Sequence, residues 1–215
     1  MPNRVHLTQR LAVFALAVAL LVGAYATQVK AQQDPIDFLK VLQADTVTEL
    51  TDPALDEAEK ERKARELFQR NFDTPAIGRF VIGRYWRNAS EQEQEDFLTV
   101  FEDVIVQRFV PLFEEQSGSR FTFGSQRQDE KSPEMSFVNS KLETTSNEVI
   151  NVVWRVREKD GVQKILDVII EGASMALTLR SEYNSFIKSS GGKVASLTKS
   201  LRDKVERGAF RGKVN

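Results

Sequence analysis

Between Arg120 and Glu171 the apolar residues recur every second position, and this stretch constrains the fold more than any other. Phe121 and Phe123 alternate with polar partners from Arg120 to Gln126, and Met135 to Glu143 reads as a second strand. Val149 to Glu158 forms a third, with Val152, Trp154 and Val156 on one face; Lys159-Asp160-Gly161 turns the chain. Val162 to Glu171 returns with Leu166, Val168 and Ile170 facing one way. Consecutive strands joined by short polar turns pair antiparallel, because parallel pairing needs long crossovers.

Helical patterns flank this block. Asp34-Pro35 opens a helix with Phe38, Leu39, Leu42, Val47 and Leu50 as apolar contacts, and Asp52-Pro53 signals a new start. Ala54 to Asn71 is dense in Glu, Lys and Arg, with Leu55, Ala58, Leu67 and Phe68 as its apolar contacts, so it reads as a mostly solvated helix. Asp73-Thr74-Pro75 caps a short helix from Ala76 to Trp86, apolar on more than one side. Ser90 and Glu93 form a capping box for a long helix to about Glu115, with Phe97, Phe101, Val104, Ile105, Phe109, Leu112 and Phe113 on its stripe and Pro111 bending it near the end. After Gly172, Ala173 to Ser189 is helical through Met175, Leu179, Tyr183, Phe186 and Ile187. Gly191-Gly192 breaks it, and Val194, Leu197, Leu201 and Val205 mark a last amphipathic helix. Helices, then a meander, then helices predict an α+β domain: one twisted antiparallel sheet of about four strands packed on one face by helices.

The N-terminus reads as an export signal. Arg4 and Arg10 precede sixteen uncharged residues, Leu11 to Ala26, and Val29-Lys30-Ala31 suits a signal peptidase, with Ala24-Tyr25-Ala26 as a second site. An uncleaved anchor is the alternative, although a span takes about 20 apolar residues. The expected organisation is a cleaved leader at 1–31, one domain at 32–206 and a basic flexible tail at 207–215. Removing the leader leaves 27 basic against 31 acidic side chains, and a mildly acidic domain has no electrostatic case for nucleic acid. An exported chain without cysteine suits a bacterial periplasm, with its stability coming from packing alone.

The chain has no Cys, and its one His, His6, lies in the leader. A mature chain of this kind builds no Ser-His-Asp or Cys-His nucleophile, no Cys/His zinc site and no thiol centre. The carboxylates in the most apolar context are Asp167 and Glu171, which alternation places opposite Leu166, Val168 and Ile170 as exposed strand polars. Asp129, Glu130 and Glu134 lack the spacing of a calcium loop, and no glycine-rich phosphate loop is present. No enzyme and no cofactor are expected. In surplus instead are aromatic and branched apolar residues, including 14 Phe. Beyond what one sheet–helix interface needs, these line a cavity, meet a partner or cover a second face.

Two blocks carry a resemblance. Ile77-Gly78-Arg79-Phe80-Val81-Ile82-Gly83-Arg84-Tyr85-Trp86-Arg87, followed by Ala89-Ser90 and Gln92 to Phe97, resembles the MlaC family, the periplasmic phospholipid-binding component of the Mla lipid-asymmetry system, also called the toluene-tolerance auxiliary family. Asp167 to Met175, Arg180-Ser181-Glu182-Tyr183 and Gly191 to Leu201 agree with it, and the similarity spans about residues 36 to 205. The resemblance implies a periplasmic carrier moving phospholipid between an outer-membrane lipoprotein complex and an inner-membrane ABC transporter with an MCE-domain protein. It also implies a cone of helices on a curved sheet, with an internal apolar pocket for acyl chains. A branch of the family is associated with hopanoid lipids, and these residues do not separate the two.

The expected lipid-binding residues are Ile77, Phe80, Val81 and Tyr85 from the short helix, Phe101, Val104 and Ile105 from the long one, and Trp154, Val156, Val168, Ile170, Met175 and Leu179. The polar ends of Tyr85 and Trp154 are expected near the mouth. Plain core packing is the alternative for each. The rival classes are a periplasmic interaction module with a filled interior, and an enzyme using Asp167 or Glu171 inside the same cavity.

Overall fold

The computed structural model describes residues 34–115 and 118–211; the expected leader and the last four residues lie outside this range, as do the side chains of Phe109, Leu112 and Phe113. Each early helix begins where its capping residues require. Asp34 accepts from the Ile36 N–H (2.8 Å) to start α1 (Pro35–Leu50), which buries Phe38, Leu39, Leu42 and Leu50 but leaves Val47 exposed. Asp56 and Glu59 form a reciprocal capping box for α2 (Glu57–Asn71), whose narrow stripe of Ala64, Leu67 and Phe68 is buried. Asp73 caps α3 (Thr74–Ile82) through the Ala76 N–H.

The expected helix to Trp86 does not continue as one element. Gly83 takes φ 56°, a conformation that L side chains rarely adopt, and the chain tightens into a 3₁₀ turn over Gly83–Asn88. Ser90 and Glu93 then cap α4 (Glu91–Glu115), which runs through Pro111.

The sheet is a five-stranded antiparallel meander in sequence order: β1 (Arg120–Asp129), β2 (Ser132–Glu143), β3 (Val149–Lys159), β4 (Val162–Ile170) and the two-residue β5 (Ala173–Ser174). The fifth strand adds to the four expected. Its second residue, Ser174, caps α5 (Met175–Ser189) through the Leu177 N–H, and α6 (Val194–Glu206) follows. Among the described residues no helix is long and apolar enough to cross a membrane.

Register corrects the alternation assumed for β4. Trp154 pairs with Val168 and Arg155 with Asp167, but Val156 pairs with Ile165, so Leu166 is the extra residue of a bulge. Val138, Trp154 and Val168 form one cross-strand row, and Ser136, Val156 and Ile165 the next. Ile165 before the bulge and Val168 after it thus both pack on the sheet core. Asp167, expected to be solvent-exposed, is buried at 9% exposure.

The corner between α2 and α3 closes the β4 edge. Phe72 bridges to Ile165, the Asp73 N–H donates to the Ile165 carbonyl (3.0 Å), and Lys164 Nζ donates to the Gln69 and Arg70 carbonyls at the end of α2. Arg157 of β3 pairs with Asp73. Residues 207–211, expected in a flexible tail, form turns in which Phe210 lies under the Arg108 guanidinium and Arg211 pairs with Glu61.

Two apolar cores result. One is wholly helical: Val81, Ile82 and Tyr85 meet Phe97, Phe101 and Val104 of α4, Tyr183 and Ile187 of α5, and Leu197 and Leu201 of α6. The other joins α1 and α2 to the sheet through Leu39, Leu67, Val138, Val156 and Ile165. Helix α4 serves both, giving Val106 and Val110 to the second.

Candidate lipid-binding cavity

A cavity of about 60 Å³ lies where the two cores meet. Its wall draws on every layer: Phe68 from α2, Phe72, Thr74 and Ile77 at the α3 corner, Phe101 and Ile105 from α4, Leu166, Asp167 and Val168 at the bulge, and Met175, Ala176 and Leu179 from α5. The strand contributes three consecutive residues to the wall, at and just after its bulge.

The lining is aliphatic and aromatic, with the Phe68 and Phe72 rings 4.7 Å apart, apart from Thr74 and Asp167. Asp167 is not an unpaired charge. Its Oδ2 accepts the Ser174 hydroxyl (2.5 Å) and its Oδ1 accepts the Ala176 N–H (3.0 Å), so the carboxylate anchors the cap and first turn of α5. A buried carboxylate committed to two donors is a positioning group and leaves the remaining wall dry. Glu171 is separate from it: exposed, at φ 48° in the turn after β4, and accepting from the Asn151 N–H. The two acids expected to be the best catalytic candidates thus each bind backbone in different places. Among the described residues no cluster of three or more His, Asp or Glu side chains is arranged to hold a metal ion.

Of the expected lining residues, the structure brings Ile77, Phe101, Ile105, Val168, Met175 and Leu179 together on this wall. Val81, Tyr85 and Val104 are packed in the helical core, and Trp154 and Val156 belong to the sheet core. Phe80 and Ile170 reach the surface at 38% and 37% exposure. The polar ends expected at a mouth are both bonded locally: Trp154 Nε1 donates to Ser140 Oγ (2.9 Å), and the Tyr85 hydroxyl accepts from Arg84 (3.0 Å). Sequence reasoning missed Phe72, Thr74, Leu166 and Ala176 as wall residues and read Phe68 only as a helix contact. The one signal for them was adjacency to the Asp73-Thr74-Pro75 cap and to Met175.

The family profile described as MlaC protein matches residues 39–203 of the sequence. The chain belongs to the MlaC family. Its fold agrees: the structure of a phospholipid-binding protein from Ralstonia solanacearum, in complex with a phospholipid, superposes with a TM-score of 0.71 at 19% identity, covering 82% of this chain and 99% of that one. Among curated protein sequences, none matches this chain. The MlaC profile spans every wall residue of the cavity and both blocks that carry the resemblance.

Proposed function

We propose that this protein is a phospholipid carrier of the MlaC type, a binding protein rather than an enzyme, taking acyl chains into the seam between its two cores. The carrying observation is the apolar cavity at that seam, in a chain of the MlaC family whose fold matches that of a protein solved in complex with a phospholipid. Two acyl chains bring roughly 28 methylenes, and at about 0.8 kcal/mol each their removal from water is worth on the order of 20 kcal/mol. A bilayer supplies nearly the same. Uptake therefore demands a wall as dry as the membrane, and the two hydrogen bonds on Asp167 meet that demand.

The seam must widen to admit cargo. Cavities for drug-sized ligands run to roughly 300–1,000 Å³, several times the 60 Å³ present here. Separate cores can part along their junction without either being broken, which a single continuous core cannot do. Because the membrane and the protein offer similar hydrophobic free energies, direction is set by partners. We assign these, with the family, to an outer-membrane lipoprotein complex and an inner-membrane ABC transporter with an MCE-domain protein. The chain is exported to the periplasm, with residues 1–31 as its cleaved leader and 32–206 as the carrier body.

The small volume favours one second reading, a filled interaction module of the same fold. Organic extraction of protein purified from the exported fraction, followed by mass spectrometry, decides between them. The carrier yields about one phospholipid per chain, a hopanoid carrier yields that lipid instead, and an interaction module yields none.

A further inference from the structure

Arginines are handled differently at two places on this protein. On α2, Arg62 pairs with Glu66, Arg65 with Glu102 and Asp103, and Arg70 with Glu49. Around the Gly83 turn, Arg79, Arg84, Arg87 and Arg180 have no carboxylate within ion-pair distance among the described residues. Three of the four are held by aromatic rings instead. Arg79 lies over Trp86 (5.2 Å), Arg84 over Tyr85 (5.0 Å), and Arg180 over Phe80 (4.7 Å) while donating to the Phe80 carbonyl (2.7 Å). Arg180 lies so close to the turn that a Cβ at Gly83 would sit 2.8 Å from it. At the start of α4, Glu93 is bonded to Ser90 and Asp96 to Gln92, while Glu91 and Glu95 are exposed.

Stacking orders a guanidinium without neutralising it, so the charge stays available to an anion. Apolar side chains flank it: Phe80 is 38% exposed and Leu177, one turn before Arg180 on α5, is 58% exposed. Exposed aromatic and aliphatic groups among uncompensated arginines are the composition of a surface that meets anionic lipid head groups while its rings enter the interface. An acidic protein surface would match the same charge and cover the same two side chains, and it is the outcome the vesicle test separates. The patch also adjoins the cavity, because Ile77 and Leu179 on its wall belong to the same two helices.

We infer that the Gly83 turn, with Arg79, Arg84, Arg87, Arg180, Phe80 and Leu177, is a docking surface for an anionic lipid bilayer. This goes beyond cargo binding and does not depend on it.

The test is co-sedimentation of protein from the exported fraction with vesicles of phosphatidylcholine alone or mixed with phosphatidylglycerol, at low and high salt. The wild type is expected to sediment with the anionic vesicles, to be released by salt, and to stay in solution with phosphatidylcholine. Each of Arg79→Gln, Arg84→Gln and Arg87→Gln is expected to lower partitioning about fivefold, and the three together roughly a hundredfold. These side chains are exposed, so an unchanged melting temperature shows that folding is intact, and Phe80→Ser provides a second variant that keeps every charge. Equal binding to both vesicle types, full binding by the triple variant, or no sedimentation with any vesicle, as for a purely protein partner, overturns the inference. Lipid extraction reads cargo binding separately, so either proposal can fail alone.

Discussion

Replacing Asp167 tests whether the start of α5 is latched to the sheet. The carboxylate is 9% exposed and accepts two hydrogen bonds, from the cap hydroxyl of Ser174 and from the Ala176 N–H. Ser174 still caps α5, but each of the two hydrogen bonds to the charged acceptor is worth about 1.5–3 kcal/mol. For Asp167→Ala the sum is about 3 kcal/mol; for Asp167→Asn, which keeps one acceptor, it is about 1 kcal/mol. In a domain of this size each kcal/mol moves the melting temperature by roughly 2–4 °C, so the alanine variant melts about 6–12 °C lower. The turn released carries Met175, Ala176 and Leu179 on the cavity wall, so lipid leaves the alanine variant faster than it leaves the wild type. Thermal melts give the first quantity and release of a fluorescent phospholipid to acceptor vesicles the second. An alanine variant melting within a degree of wild type, with unchanged release, would falsify the latch.

Tyr183 lies in the helical core with a buried hydroxyl that has no hydrogen-bond partner, and burial, opposed by Arg108 and reinforced by Glu182, pushes its ionisation well up. Tyr183→Phe is therefore expected to gain about 1 kcal/mol in denaturant melts. Above the ordinary tyrosine value of about 10 the unfolded chain ionises first, so wild-type stability falls as pH rises and the phenylalanine variant loses that slope; parallel alkaline curves refute the assignment. Gly83→Ala forces a side chain into φ 56° and against Arg180, and a loss of about 2 kcal/mol is expected by calorimetry. A neutral result there means that the turn tolerates a Cβ.

Elements with a strong local signal were legible in the sequence. Asp34-Pro35, Asp73-Thr74-Pro75 and Ser90 with Glu93 open helices where they stand, and the alternation of Phe121 and Phe123 marks β1 correctly. The bulge was hidden because a two-residue period carries no mark of one extra residue, and Asp167 was read as solvated because that period says nothing of the helix start, Ser174 and Ala176, that covers it. The cavity was half legible for a different reason. Ile105 and Leu179 sit on apolar stripes, but Phe68 lies on a helix dominated by charge and Leu166 on a strand irregularity, and only the meeting of five elements distant in sequence makes them neighbours.

Every strand hydrogen-bonds only to those next to it along the chain. Pairings so local close short loops and form early, and the ribbon from Arg120 to Ser174 can assemble before its covering is in place. The long helix α4 must then be recruited from upstream and α5 and α6 from downstream to complete the helical core. The hollow is thus closed only by contacts between segments far apart along the chain.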